Sequence, residues 1–132
     1  MRHAHTVLFV DDEVNILKAL QRLLRSEHMN VLCASRAQEA LELLDKQQCQ
    51  VVVTDQRMPE MSGTEFLERV RGLYPDTIRI VLSGYTDLQS ITDAINRGAI
   101  YKFLTKPWDS DLLREHIHEA FRHHELERQA RK

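Results

Sequence analysis

Four short apolar runs in this chain each lead into a residue that carries chemistry. Thr6-Val7-Leu8-Phe9-Val10 ends at Asp11 and Asp12, and Val51-Val52-Val53 leads through Thr54 to Asp55. Ile78-Arg79-Ile80-Val81-Leu82 ends at Ser83, and Ile100-Tyr101-Lys102-Phe103-Leu104 leads through Thr105 to Lys106. Runs of this length suit buried strands. Parallel strands would place all four ends along one edge of a sheet. In open α/β sheets, ligands bind outside the carboxyl ends of the strands. Such a fold gathers acids, a hydroxyl and an ammonium at one place.

Between these runs the apolar spacing changes to three and four residues, the mark of a helix with one buried face. The first helix is expected from near Glu13 to Ser26, with Val14, Leu17, Leu20 and Leu24 inward. Met29 to Ala34 reads as a strand. Ser35-Arg36-Ala37-Gln38 has the form of a capping box, opening a helix with Ala37, Ala40, Leu41 and Leu44 inward. Ser62-Gly63-Thr64-Glu65 is a second such box, before Phe66, Leu67 and Val70, and Gly72 with Pro75 is expected to stop that helix. Thr86-Asp87-Leu88-Gln89 is a third, before Leu88, Ile91, Ala94 and Ile95, with Gly98 as the stop. The last helix starts near Asp109 and carries Leu112, Leu113, Ile117, Ala120 and Phe121.

The resulting βαβαβαβαβα alternation predicts a parallel sheet with helices on both faces. Five strands suggest an α/β, flavodoxin-like (βα)5 doubly wound fold with strand order 2-1-3-4-5. In that order strands 1 and 3 are neighbours, so Asp11 and Asp12 approach Asp55.

A length of 132 residues suits one domain. The expected division is a domain over 1–122 and a polar helical extension or linker over 123–132. The net charge of −2, with both signs mixed, gives no bulk attraction to nucleic acid. No apolar stretch approaches the ~20 residues that span a bilayer. Met1-Arg2-His3-Ala4-His5 lacks the core of a signal peptide. Cys33 and Cys49 form no C-x-x-C pair and read as two reduced thiols of a cytoplasmic protein. His116, His118, His123 and His124 fall on the last helix without an H-E-x-x-H pattern, and read as solvated surface histidines. For Ile117 and Phe121, packing on the sheet is preferred to pairing in a homodimer with Leu126.

Three converging carboxylates repel one another unless a cation or protons intervene. Mg²⁺ is bound by one or two carboxylates and keeps several waters. Asp12 and Asp55 suit it as ligands, with Asp11 holding a metal-bound water. An aspartate can also be a nucleophile that forms an acyl phosphate. The phosphoryl oxygens then need partners, which the metal, Lys106 and the Ser83 hydroxyl could supply. An aspartate at a strand end is more often a helix cap than a nucleophile, and a lone Ser83 or Lys106 means nothing. The weight lies in four strand ends with complementary chemistry.

From about Thr6 to Arg122 the chain resembles the receiver domains of two-component response regulators. The matching stretches are Val10-Asp11-Asp12-Glu13, Asp55-Gln56-Arg57-Met58-Pro59-Glu60-Met61-Ser62-Gly63, Leu82-Ser83-Gly84 and Phe103-Leu104-Thr105-Lys106-Pro107. The resemblance implies that Asp55 accepts a phosphoryl group from a histidine kinase or phosphotransfer protein. It implies Mg²⁺ at Asp12, Asp55 and the backbone carbonyl of Arg57, and a switch formed by Ser83 and Phe103. It also implies a cis Lys106–Pro107 bond. By the same resemblance, Arg57 and Tyr85 flank the path of the water that hydrolyses the acyl phosphate, so their bulk is expected to set its lifetime.

Leu82-Ser83-Gly84-Tyr85-Thr86-Asp87, with Ile100 to Trp108, is more narrowly similar to receivers that precede HD-GYP cyclic-di-GMP phosphodiesterases and to those of hydrogenase-type transcriptional regulators. This implies an output domain, lost from this chain or separate from it, and the polar tail also fits a free-standing receiver with a frayed end. The expected function is a phosphorylation-controlled switch that assists only its own phosphorylation and dephosphorylation. The rival enzyme reading, an aspartate-nucleophile phosphatase of the haloacid dehalogenase type, needs a second aspartate two residues past the nucleophile. Arg57 stands there instead. The other rival, an interaction module that has lost phosphorylation, conflicts with the intact set of Asp11, Asp12, Asp55, Ser83 and Lys106.

Overall fold

A computed structural model describes residues 5–84 and 88–130. Five strands alternate with five helices: β1 (Thr6–Val10), α1 (Val14–Leu24), β2 (Asn30–Ala34), α2 (Ala37–Lys46) and β3 (Val51–Asp55), then α3 (Gly63–Leu73), β4 (Ile78–Ser83), α4 (Leu88–Asn96), β5 (Lys102–Thr105) and α5 (Ser110–Ala130). The strands form one sheet in the order β2-β1-β3-β4-β5, and every pairing is parallel. This is the expected flavodoxin-like architecture.

Side chains of a strand alternate between the two faces of its sheet, and the two cores follow that parity. Val7, Phe9, Val51, Val53, Ile80 and Leu82 pack with Leu17, Leu20 and Leu24 of α1 and Leu113, Ile117 and Phe121 of α5. Leu8, Val10, Val52 and Val81 pack with Ala40 and Leu44 of α2, Phe66, Leu67 and Val70 of α3, and Ile91 and Ala94 of α4. Burial on both faces explains why the central strands read as unbroken apolar runs. Ile117 and Phe121 are buried against the sheet, as preferred from the sequence.

Several local expectations need correction. Val14 is exposed rather than inward, and Leu88, Ile95 and Leu112, which continue the apolar spacing of their helices, are exposed as well. Each extends an apolar stripe beyond the arc of helix that actually meets the sheet. α3 runs through Gly72 to Leu73 and is capped at Tyr74, so it stops directly before Pro75, as expected, and not at Gly72. The Ser35 box closes differently: Glu39, not Gln38, accepts from the Ser35 backbone N–H at 2.9 Å, and the N-cap position itself is Arg36. The Ser62–Glu65 box forms as read, with both reciprocal hydrogen bonds present. Gly98 takes φ +82°, the left-handed conformation that favours glycine after a helix. Thr86 and Asp87 of the third box lie outside the described residues.

The histidines of α5 are not simply solvated. His124 is buried, His118 Nε2 lies 2.7 Å from Glu27 Oε1, and His123 stacks on Tyr101. The helix continues unbroken from the core to Ala130, so residues 123–130 belong to α5. Arg79 ties the base of β4 to its surroundings. Its guanidinium donates to the carbonyls of Pro75, Thr77, Gly98 and Ala99.

Candidate functional site

Strand register sets the site. Val10 pairs with Thr54, Asp55 with Leu82, and Ser83 with Thr105. Asp11, Asp55, Ser83 and Lys106 therefore emerge side by side at the carboxyl edge, where β1, β3, β4 and β5 end. Two backbone bonds hold that edge together beyond the ladders. Asp11 N–H donates to Ala34 O at 3.1 Å, and Lys106 N–H donates to Ser83 O at 3.0 Å.

Carboxylate oxygens of Asp11, Asp12 and Asp55 all lie within 4.8 Å of one another. Asp11 and Asp55 are buried and Asp12 is exposed. The Lys106 ammonium reaches into the group, 2.8 Å from Asp11 Oδ2 and 3.2 Å from Asp55 Oδ1. The other Asp11 oxygen accepts from the Glu13 backbone N–H at 2.9 Å. Burial and the neighbouring Asp11 charge push the Asp55 carboxyl above its ordinary pKa, and Lys106 offsets this only in part. Burial also works against the Lys106 charge, but its bonds and attraction to Asp11 and then Asp55 prevail and hold its pKa above the usual value.

Three carboxylates against one ammonium leave a local excess of negative charge. An all-oxygen donor set with one exposed member fits a hard divalent cation such as Mg²⁺, which prefers few carboxylates and retained water. The backbone carbonyl of Arg57 belongs to the adjoining loop, which with Asp12, Gln56, Met58, Pro59, Ser62 and Ser90 lines an open groove beside the acids.

Ser83 is buried at the end of β4, and Phe103 is half-buried on β5 against the α2–α4 layer. The Lys106–Pro107 peptide bond is cis, in agreement with the sequence resemblance. Arg57 is exposed in the loop, while Tyr85, its expected companion, lies outside the described residues.

Two residues at the site were not singled out by sequence reasoning. Gln56 is 5% exposed, and its side chain bonds to Thr64. Thr54 Oγ1 donates to the Asp55 carbonyl at 2.9 Å and also faces Met58 Sδ. Neither contact has a sequence signature, because the Gln56–Thr64 pair joins a strand end to a helix start across a loop.

Residues 7–118 match the response regulator receiver domain family. The hydrogenase transcriptional regulatory protein HoxA of Bradyrhizobium diazoefficiens is 43% identical over 94% of this chain and 25% of its own length. HoxA of Cupriavidus necator is 45% identical over 87% of the chain and 24% of its own length. The chain thus spans about a quarter of the curated relatives it matches. Among solved structures, the signal receiver domain of an HD domain-containing protein from Pseudomonas fluorescens Pf-5 superposes with a TM-score of 0.91 at 36% identity, covering 98% of this chain and 95% of that one. An adenylate cyclase structure from Rhodopirellula baltica gives a TM-score of 0.91 at 29% identity, covering 96% of this chain and 94% of that one. A receiver sequence over most of the chain, the doubly wound fold and the acidic cluster at its carboxyl edge agree: the protein belongs to the response regulator receiver domain family.

Proposed function

We propose that Asp55 is the phosphoacceptor of a two-component switch, taking its phosphoryl group from a phosphohistidine on a histidine kinase or phosphotransfer protein. The observation that carries this reading is the Lys106 ammonium bridging the buried Asp11 and Asp55 carboxylates, with Asp12 open at the mouth. A carboxylate oxygen of Asp55 attacks phosphorus. The new O–P bond makes an acyl phosphate as the P–N bond breaks, and the electron pair leaves with the imidazole, which takes up a proton. Lys106 balances charge that builds on the phosphoryl oxygens, and the Ser83 hydroxyl donates to one of them. Asp12, Asp55 and the Arg57 carbonyl would hold Mg²⁺, with Asp11 orienting its water. When bound, the ion supplies positive charge for the same oxygens.

Phosphorylation adds roughly −1.5 to −2 charges and strong acceptors at one point. It stabilises the conformer in which Ser83 and Lys106 reach the group, and so shifts an existing equilibrium. Inward rotation of Phe103 into the space left by Ser83 carries the change to the β5 surface. The chain acts on its own acyl phosphate and on no external metabolite. Residues 1–122 form the switch, and 123–132 serve as a polar helical extension or linker toward an output domain. A transcriptional regulator of the HoxA kind, or an HD-domain protein, fits the relatives. The expected location is the cytoplasm. Among the described residues, no helix is long and apolar enough to cross a membrane.

The test is intact mass after incubation with Mg²⁺ and acetyl phosphate. A gain of ~80 Da, one PO₃ group, in wild type and not in Asp55→Ala supports the reading. Equal gain in both proteins, or none in folded wild type with a partner kinase present, overturns it.

A further inference from the structure

Gln56 directly follows the proposed phosphoacceptor, yet its side chain turns into the protein and is 5% exposed. A buried amide is costly unless its donor and acceptor are both satisfied. Here both meet one residue. Gln56 Oε1 accepts from the Thr64 backbone N–H at 2.9 Å, and Gln56 Nε2 donates to Thr64 Oγ1 at 3.3 Å. The Gln56 backbone carbonyl also accepts from Gly63 N–H at 2.8 Å. Two of the unpaired N–H groups that open α3 are therefore satisfied by the residue next to Asp55. Thr64 is itself tied to the capping box, with Ser62 Oγ and Thr64 Oγ1 3.1 Å apart.

We infer that Gln56 is a positioning residue for phosphoryl transfer, clamping the Asp55 backbone to the start of α3 through Thr64. The inference rests on Asp55 being the phosphoacceptor. The physical reason is leverage. Asp55 is the last residue of β3, and the chain beyond it enters the Arg57–Ser62 loop. Ladder hydrogen bonds fix the backbone up to Asp55, and the Gln56 clamp fixes it just after. Without the clamp, the loop can pull the carboxylate away from Lys106 and from the cation-binding oxygens. Misplacement of a reacting group by about 1 Å can cost on the order of 100-fold in rate.

The test compares Gln56→Met and Thr64→Val, both close in shape to the native residues, and the double variant. The rate of phosphoryl gain from acetyl phosphate with saturating Mg²⁺ is read by intact mass below each protein's melting transition. A misplaced carboxylate predicts a loss of about tenfold for Gln56→Met, a smaller loss for Thr64→Val, and no further loss in the double variant, because contacting residues are coupled. The dependence on acetyl phosphate concentration is read as well: a misplaced carboxylate lowers the maximal rate and leaves the half-saturating concentration unchanged. A single variant that lowers only the melting temperature, at a wild-type rate, overturns the inference and assigns Gln56 to stability alone. Losses that add in the double variant overturn the clamp as the route. Should Gln56→Met fail to fold, the rate of Thr64→Val decides. Absence of phosphoryl gain in wild type would instead sink the phosphoacceptor reading itself.

Discussion

A Cβ atom placed on Gly63 would stand 2.2 Å from the backbone carbonyl oxygen of Asp55. No side chain fits there, so the start of α3 lies directly on the end of β3. Gly63 is needed for this close approach, not for an unusual backbone angle. Its N–H completes the contact by donating to the Gln56 carbonyl. Gly63→Ala must push the helix away from backbone that cannot yield. The expected cost is about 3 kcal/mol, the upper end for overpacking. Urea unfolding checks it, and a loss below about 1 kcal/mol would show that α3 can shift freely. At Gly72, where an added Cβ meets nothing within 4 Å, alanine should be neutral or stabilising.

The proposed metal site has a different signature. Asp12 is exposed, so its removal should leave the fold intact and relieve repulsion from Asp11 and Asp55. Without divalent cations, Asp12→Ala is expected to melt at or above the wild-type temperature. With millimolar Mg²⁺ the order should reverse, because a ligand bound only by the folded state stabilises it. Mg²⁺ affinity should fall by more than about tenfold, the least effect expected when a supporting group of a metal site is lost. Melting curves with Mg²⁺ and with chelator test both halves. A variant as responsive to Mg²⁺ as wild type would remove Asp12 from the ligand set.

Much of this was legible in the sequence because sheet parity and strand ends leave local marks. Asp11, Asp55, Ser83 and Lys106 each follow an apolar run, and parallel register brings such ends together without further information. Helix faces were harder to read. Leu88, Ile95 and Leu112 have suitable spacing but are exposed, because spacing gives a stripe's phase and not the width that a sheet covers. The Gln56–Thr64 clamp and the bond between Glu39 and Ser35 were out of reach for another reason. Each depends on loop geometry, which sets which polar side chain arrives first. His124 was misread because it looks like part of a polar tail, although the helix carries it back against the base of the sheet.

Arg79 is the strongest candidate for a structural residue away from the site. Its guanidinium serves four carbonyls, from the α3–β4 turn and the α4–β5 turn. Arg79→Met keeps much of the apolar stem but leaves these acceptors to water or unpaired. Hydrogen bonds to a charged donor are worth about 1.5–3 kcal/mol each, but part exposure here lowers the expected total loss to about 2 kcal/mol. Arg79→Lys should recover only part of that, since an ammonium cannot span the same fork. Phosphorylation of Asp55 in the folded variants should be unchanged. An equal stability for all three proteins in urea would mean that the turns hold without the guanidinium.

His124 sets a pH dependence whose sign follows from its surroundings. Burial lowers its pKa first, and Arg128 lowers it further, while Asp76, Glu125 and Glu127 oppose the shift. Gln48 and Asp76 face it from the neighbouring loops, and Glu127 and Arg128 from its own helix. The unfolded chain protonates this histidine near its ordinary value of about 6.5, whereas the folded protein protonates it only at lower pH. Between those two values the unfolded state binds more protons, so the stability His124 contributes is complete above about pH 6.5 and is lost as pH falls toward the folded value. His124→Gln removes that titration. Wild type is therefore expected to lose more melting temperature than the variant on going from about pH 7.5 to about pH 5.5. The comparison cancels histidines common to both proteins. A variant with the same pH slope as wild type would show that the base of α5 opens to water before His124 charges.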